Sequence, residues 1–373
     1  MRPTPRCSGR SAASETGAGR VPAGAAGANM PGMASSFGLS VAPMMERTDR
    51  HFRYLMRLVS PNARLYTEMI TSQALLKGDA RRLLAFDAAE HPVAIQLGGS
   101  DPAALESAAR LAADAGYDEV NLNVGCPSGR VQAGDFGAKL MLDPGRVADC
   151  VAALRGAVDL PVTVKTRIGV DEHDDYEILR GFTARIVEAG AAVLIVHARK
   201  AWLKGLSPKQ NREIPPLDYP RVYRLKRDFG ELPIVINGGF TTERHVLDQI
   251  GKVDGVMLGR SAYHDPMLIG RLDRRLCGSA GPAEADVIGR YAAYMRSELS
   301  HGTPLKAMSR HLVGLFANRP GARRWRRCLS GLSPAPEGID ELLAALASMP
   351  TGTRYNAGFT GDAAPSSPRG MCL

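Results

Sequence analysis

From residue 37 onward, short apolar runs alternate with longer stretches whose apolar residues recur at helical spacing. The runs are 40–45, 63–69, 93–98, 119–124, 162–168, 193–198, 234–238 and 255–258, eight in all. Between them, the stretch 102–115 places Leu105, Ala109 and Ala112 on one face, with Asp101 as its N-cap and Pro102 in its first turn. Gly116 and Gly190 stand where a helix calls for a left-handed closing residue. Strands that alternate with helices pair in parallel through right-handed crossovers. Eight such units predict an α/β fold, the closed (β/α)8 TIM barrel. A doubly wound open sheet is the alternative, weakened because no GxGxxG follows the first run.

The alternation stops near Gly270, and residues 284–348 read as helices, for example 287–299 and 338–347. The expected organisation is a catalytic barrel over 37–275 and a small all-α C-terminal domain over 276–349. Segments 1–36 and 350–373 are poor in periodic apolar residues and are expected to be disordered. The first is rich in Ala, Gly, Ser and Arg with Glu15 as its single acid, loosely like an organelle transit peptide. Met30 and Met33 leave room for a later start. No apolar run is long enough to span a bilayer, so no membrane association is expected.

In a parallel barrel the chemistry gathers at the C-terminal ends of the strands. Here the first ends in Pro43, Met44 and Met45, and the third carries Gln96. The fourth ends in Asn121, Asn123 and then Cys126; the fifth carries Lys165 and Arg167; the sixth ends in His197 and Arg199. The seventh ends in Asn237, Gly238 and Gly239, the eighth in Gly259 and Arg260. One polar strand end means little, but polar ends in register along one rim are hard to explain by stability. Gly-rich loops after the seventh and eighth strands can present backbone N–H groups to a phosphate, with Arg260 adding charge-assisted bonds; two tight turns are the alternative. A lysine inside a strand is costly unless paired. An anionic cofactor, or a carboxylate or phosphate substrate, would each supply a partner for Lys165 and His197. Cys126 lies between Gly125 and Pro127, where the chain must turn, and reads as a reactive thiol: a nucleophile or a proton donor.

Charge sharpens the choice of partner. The chain carries +9 at pH 7 with a pI near 9.4, which suits a polyanion unless it reflects an arginine-rich proteome. From 271 to 330 there are twelve Arg and Lys against four acids, nearly the whole excess. Arg323, Arg324, Trp325, Arg326 and Arg327 interleave an aromatic with guanidinium groups, which suits RNA stacking and phosphate contact; a solvated helix face with Trp325 packed inward is the alternative. Six cysteines lack CxxC or metal-ligand spacing, so neither a disulfide framework nor a metal site is expected, and a reducing cytoplasm is the simple location.

Taken in order, 42–45, 121–128, 164–169, 197–199, 237–239 and 259–260 resemble the tRNA-dihydrouridine synthases, over about residues 38–335. The segment 197–219 resembles their A-type subfamily, which acts on uridines 20 and 20a of the tRNA D-loop. The resemblance implies FMN held by Pro43, Met44, Met45, Gln96, Lys165, His197, Asn237, Gly238, Gly239, Gly259 and Arg260, with NADPH as reductant. It implies that Asn123 touches a flipped uridine and that Cys126 protonates it. It maps tRNA contacts to Lys209, Arg212, Arg323 and Arg326, and implies no protein partner, so a monomer is expected. Gly129 and Lys139 depart from the family pattern, in which an acidic or polar residue and a cysteine are commoner. Two rivals remain: a flavin barrel reductase acting on a free pyrimidine, and an RNA-binding protein whose barrel has lost its chemistry.

Overall fold

A computed structural model of the chain describes residues 37–350; the expectations for 1–36 and for the tail beyond Pro350 lie outside them. The strands are β1 (Leu39–Val41), β2 (Arg64–Thr71), β3 (Val93–Gly98), β4 (Glu119–Val124), β5 (Val162–Arg167), β6 (Val193–His197), β7 (Ile234–Asn237) and β8 (Gly255–Leu258). All pair in parallel in sequence order, and β1 closes on β8 through Leu39–Val256, Ser40–Met257 and Val41–Leu258, so the open-sheet alternative is excluded. Each expected strand is present, with edges shifted by a few residues.

The largest shift is at β1, expected to run to Met45 but ending at Val41. Ala42 makes the last ladder bond, its N–H donating to the Leu258 carbonyl (2.8 Å). Pro43 has no N–H with which to continue. The chain instead closes a turn in which the Met44 N–H donates to Thr48 Oγ1 (2.9 Å), leaving Met45 58% exposed.

Helix Pro102–Asp114 forms as its sequence dictates: Asp101 accepts from the Ala103 N–H (3.1 Å), and Leu105, Ala108, Ala109 and Ala112 are buried. The chain leaves it through Gly116 at φ +92°. The outward strand residues pack against such helices in one apolar layer. Inside the barrel a separate apolar cluster, Ala42, Tyr66, Ala94, Val193, Ile195, Val235 and Met257, shares the space with buried Arg64, Gln96, Glu119, Asn121, Asn123 and Thr163. The interior is therefore richer in buried polar groups along β2–β5 and mostly apolar along β6, β7 and β8.

After helix Pro266–Cys277 the chain continues in helices Glu284–Ser300, Leu305–Ser309, Ala322–Gly331 and Glu337–Ala347. They dock on barrel helix Arg50–Val59, whose N-cap Asp49 pairs with both Arg310 and His311. Burial of Asp49 opposes its charge, but His311, the Phe52 N–H and Arg310 together hold its carboxyl far below the usual range. Tyr54 stacks on Tyr294 with ring centroids 3.9 Å apart, and Tyr294 Oη lies 2.7 Å from His51 Nδ1.

Trp325 corrects one expectation. It is fully buried, meets Phe316 edge-on at 5.0 Å and donates Nε1–H to the Leu312 carbonyl (2.8 Å). No base can stack on it; the amphipathic helix turns its aromatic inward and leaves Arg323, Arg324, Arg326 and Arg327 exposed. Replacing Trp325 with Ala should lower the unfolding free energy by about 3–5 kcal/mol, the range for large buried aromatics. Urea unfolding measures it, and a loss under about 1 kcal/mol would mean the helices owe little to this anchor.

Candidate active site

The strand ends converge on one rim. Lys165 on β5 and Asn237 on β7 meet across the mouth, Nζ donating to Oδ1 at 3.2 Å. Asn237 is held in turn by its Nδ2 donating to the Met257 carbonyl (2.7 Å). Arg167 lies opposite His197 in the β5–β6 ladder. Its guanidinium donates to the carbonyls of Gly125 (3.2 Å), Lys200 (3.2 Å) and Asn211 (2.9 Å). Arg167 therefore ties the Cys126 turn to the long loop after β6.

The electrostatics of the mouth are one-sided. Burial, helped by Arg167 and opposed by Cys126, lowers the Lys165 ammonium to about 7. Burial also pushes His197 well below its ordinary value, helped by Arg167, Lys165, Arg199 and Arg212, so its ring is neutral. Arg167 falls to about 10, again chiefly through burial. No carboxylate is among the groups acting on Lys165 or His197. Cations gathered under a rim without a counter-charge make a ready receptor for an anion.

Beside them the β7 loop turns through Gly238 (φ +118°) and Gly239 (φ +78°). A Cβ on Gly238 would lie 2.7 Å from His197 Cδ2, and one on Gly239 would lie 2.4 Å from Leu217 Cδ1. Only glycine fits, and the bare backbone can approach a ligand closely. Gly259 opens the short helix Arg260–His264 next to Ala42 and Met44. The Arg260 side chain turns away to Glu213 (2.5 Å) in the β6 loop.

On the opposite side, Gln96 and Asn123 are buried and joined, Asn123 Nδ2 donating to Gln96 Oε1 at 2.8 Å. Asn123 Oδ1 accepts from the backbone N–H groups of Gly125 (3.1 Å) and Cys126 (3.0 Å), which fixes the turn that carries the thiol. Cys126 is partly exposed, with Sγ 3.6 Å from Ser128 Oγ. The sequence-derived residues Gln96, Asn123, Cys126, Lys165, His197, Asn237, Gly238 and Gly239 thus line one mouth, with Pro43, Met44 and Gly259 along its β8–β1 edge.

Of the proposed polyanion contacts, Arg212 reaches this mouth: its charge acts on His197 and Arg167. Lys209 and the exposed face carrying Arg323 and Arg326 lie farther out. The helix carrying Arg323 and Arg326 is joined to the barrel by packing: Trp325 donates to the Leu312 carbonyl, and Gly314 packs on the carbonyls of Tyr263 and His264 in the helix that opens at Gly259. Glu119, Thr163 and the support that Asn121 gives to Gln96 went unrecognised in the sequence. Their signal was present: Glu119, Asn121 and Asn123 are polar at every second position of a fully buried strand.

The Lys165 shift has a definite consequence. Its folded value of about 7 lies below the ordinary 10.5, so the cost of burying the charge is complete below about pH 7 and fades as pH rises toward 10.5. In ligand-free protein, Lys165→Met should be more stable than the parent at pH 7, with the gap closing by pH 10. Denaturant unfolding at the two pH values checks this, and a gap that stays constant would show that the ammonium is already compensated.

The comparisons agree with this geometry. A family model described as dihydrouridine synthase (Dus) matches residues 40–349. The chain is 56% identical over 297 residues to the tRNA-dihydrouridine(20/20a) synthase of Xanthomonas campestris pv. campestris, covering 80% of this chain and 89% of that protein. It is 52% identical to the protein of the same name from Vibrio vulnificus, over 85% of this chain and 98% of that one. It is 54% identical to the one from Escherichia coli O6:H1, over 79% and 90%. With most of its length matched in both comparisons and the strand ends assembled at one rim, the chain belongs to the dihydrouridine synthase family, a family of oxidoreductase enzymes.

Proposed function

We propose that this enzyme reduces the C5=C6 bond of uridine to 5,6-dihydrouridine in the tRNA D-loop, at positions 20 and 20a, with FMN as its carrier and NADPH as the reductant. The observation that carries the reading is the pairing of a basic wall, Lys165 and Arg167 with the neutral His197 ring beside Gly238 and Gly239, with a thiol across the same mouth. The wall suits FMN: its phosphate would sit against the backbone of Gly238, Gly239, Gly259 and Arg260, and the electron-rich part of its ring near Lys165, His197 and Asn237. Pro43, Met44, Met45 and Gln96 would complete the contact surface. When bound, FMN would supply the hydride that adds to C6.

The protein's own work is then binding, orientation and proton delivery. Asn123 would hold the extruded base. Hydride addition leaves negative charge on C5 and the C4 carbonyl, which Lys165 and Arg167 can stabilise. Cys126 would give its proton to C5 as the general acid. Lys209, Arg212, Arg323 and Arg326 would bind phosphates and so offset the few kcal/mol needed to unstack a base.

Dihydrouridine formed on unmodified tRNA, compared with free uridine or orotate, tests the assignment. Activity on tRNA alone is expected, and activity only on the free pyrimidines would overturn it. Cys126→Ala should keep FMN and tRNA binding while turnover falls by at least about 100-fold; normal turnover would remove the thiol from the mechanism. Arg323→Ala with Arg326→Ala should weaken tRNA binding and lower the slope of log K against log salt by about 2. An unaltered slope would assign the basic helix to solubility.

A further inference from the structure

A ladder of side chains crosses the barrel interior from its floor to the Cys126 turn. At the floor, Glu119 ion-pairs with Arg64 (3.2 Å) and accepts from the hydroxyls of Tyr66 (2.7 Å) and Thr163 (2.5 Å). The Thr163 oxygen accepts from Asn121 Nδ2 (2.7 Å), and Asn121 Oδ1 accepts from Gln96 Nε2 (2.7 Å). Gln96 Oε1 accepts from Asn123 Nδ2 (2.8 Å), and Asn123 Oδ1 accepts from the Gly125 and Cys126 N–H groups.

The direction of this ladder is set at both ends. A carboxylate can only accept and a backbone N–H can only donate. Each hydroxyl and amide between them could reverse, yet a reversed ladder would turn the Asn123 NH2 toward two N–H donors. With Glu119 ionised, floor and rim demand the same polarity. Stability does not require the arrangement, since a buried ion pair can often be replaced by apolar groups at little loss.

We propose that Glu119 is a positioning residue which, through Thr163, Asn121 and Gln96, fixes the orientation of Asn123 and so holds the Cys126 turn in place for proton transfer. The inference rests on the tRNA-reduction reading above. It also explains why polar groups occupy a core layer that Val or Leu could fill.

Glu119→Gln removes the directing charge while keeping the shape. Arg64 would draw the new amide oxygen, turning its NH2 toward Thr163, so that the Thr163 O–H would donate to Asn121 instead of accepting from it and the reversed ladder would meet a conflict at Asn123. Thr163→Val cuts the ladder at nearly constant volume, and Thr163→Ser should restore it.

Three measurements read the effect: flavin reduction by NADPH, reoxidation of the reduced flavin by tRNA, and the rate of Cys126 alkylation by iodoacetamide. Both disruptive variants should keep FMN and wild-type reduction by NADPH. Reoxidation by tRNA should slow about tenfold, as expected for one misplaced hydrogen-bonding group. Alkylation should quicken several-fold as the turn loosens, with tRNA affinity unchanged and Thr163→Ser close to the parent. Wild-type behaviour in both variants overturns the proposal. So does equal slowing of both half-reactions, or failure of both variants to fold, since each would make the ladder purely structural. A parent enzyme that tRNA cannot reoxidise would instead refute the function, and alkylation would still report whether the ladder governs the turn.

Discussion

Closure of the sheet between β1 and β8 is the constraint from which the site follows. A parallel sheet with helices outside leaves no edge once it closes, and every strand must then run from one floor to one rim. Residues separated by much of the chain become neighbours: Lys165 meets Asn237, and Arg167 meets the carbonyl of Gly125. No local sequence rule creates those contacts. The short β1 shows how little pairing is needed, because its three residues are clasped on both sides, by β2 and by β8.

The closed interior must still be filled, and this barrel divides the task unevenly. Val193, Ile195, Val235 and Met257 supply an apolar half with no hydrogen-bonding demand. The other half buries Arg64, Glu119, Asn121, Gln96 and Asn123, each costly unless bonded. The bonds that satisfy them form one continuous path and not isolated pairs, so the polar half is rigid as well as satisfied. The path ends at the turn that holds the Cys126 thiol, while the mouth beside it gathers buried positive charge. The protein thus spends order on one wall and leaves electrostatic strain on the other.

Much of this was legible in the sequence. Eight apolar runs separated by helical stretches favoured a closed parallel barrel over a doubly wound open sheet, and the polar strand ends pointed to one rim. The strand ends misjudged were those where backbone bonding decides. The run through Met45 looks continuous in hydrophobicity, but Pro43 ends it. Trp325 misled because an aromatic among arginines reads alike whether it faces RNA or a core; only packing against Phe316 and Leu312 separates the two. Arg260 was placed on the correct loop, but its side chain pairs with Glu213, a partner set by the path of the β6 loop and invisible to spacing. For Glu119 the alternation of polar residues was legible but the partner was not: its neighbours in sequence say nothing of Arg64, which the barrel brings against it.

The basic C-terminal helices and the cationic mouth are best understood as one electrostatic device working at two ranges. Exposed guanidinium groups such as Arg323 and Arg326 act in water, where each is screened within about 10 Å at ordinary salt. They can gather a polyanion but cannot discriminate among its bases. Lys165 and Arg167 act under the rim, where screening is weak, and an anion entering the mouth would relieve their mutual repulsion. Free energy released by that entry belongs to the bound state alone, so a ligand filling the mouth must also stabilise the barrel around it. The docking of the helices on Asp49 and Tyr54 fixes the two ranges relative to each other, so that on the proposed function long-range attraction would bring a polyanion to the mouth.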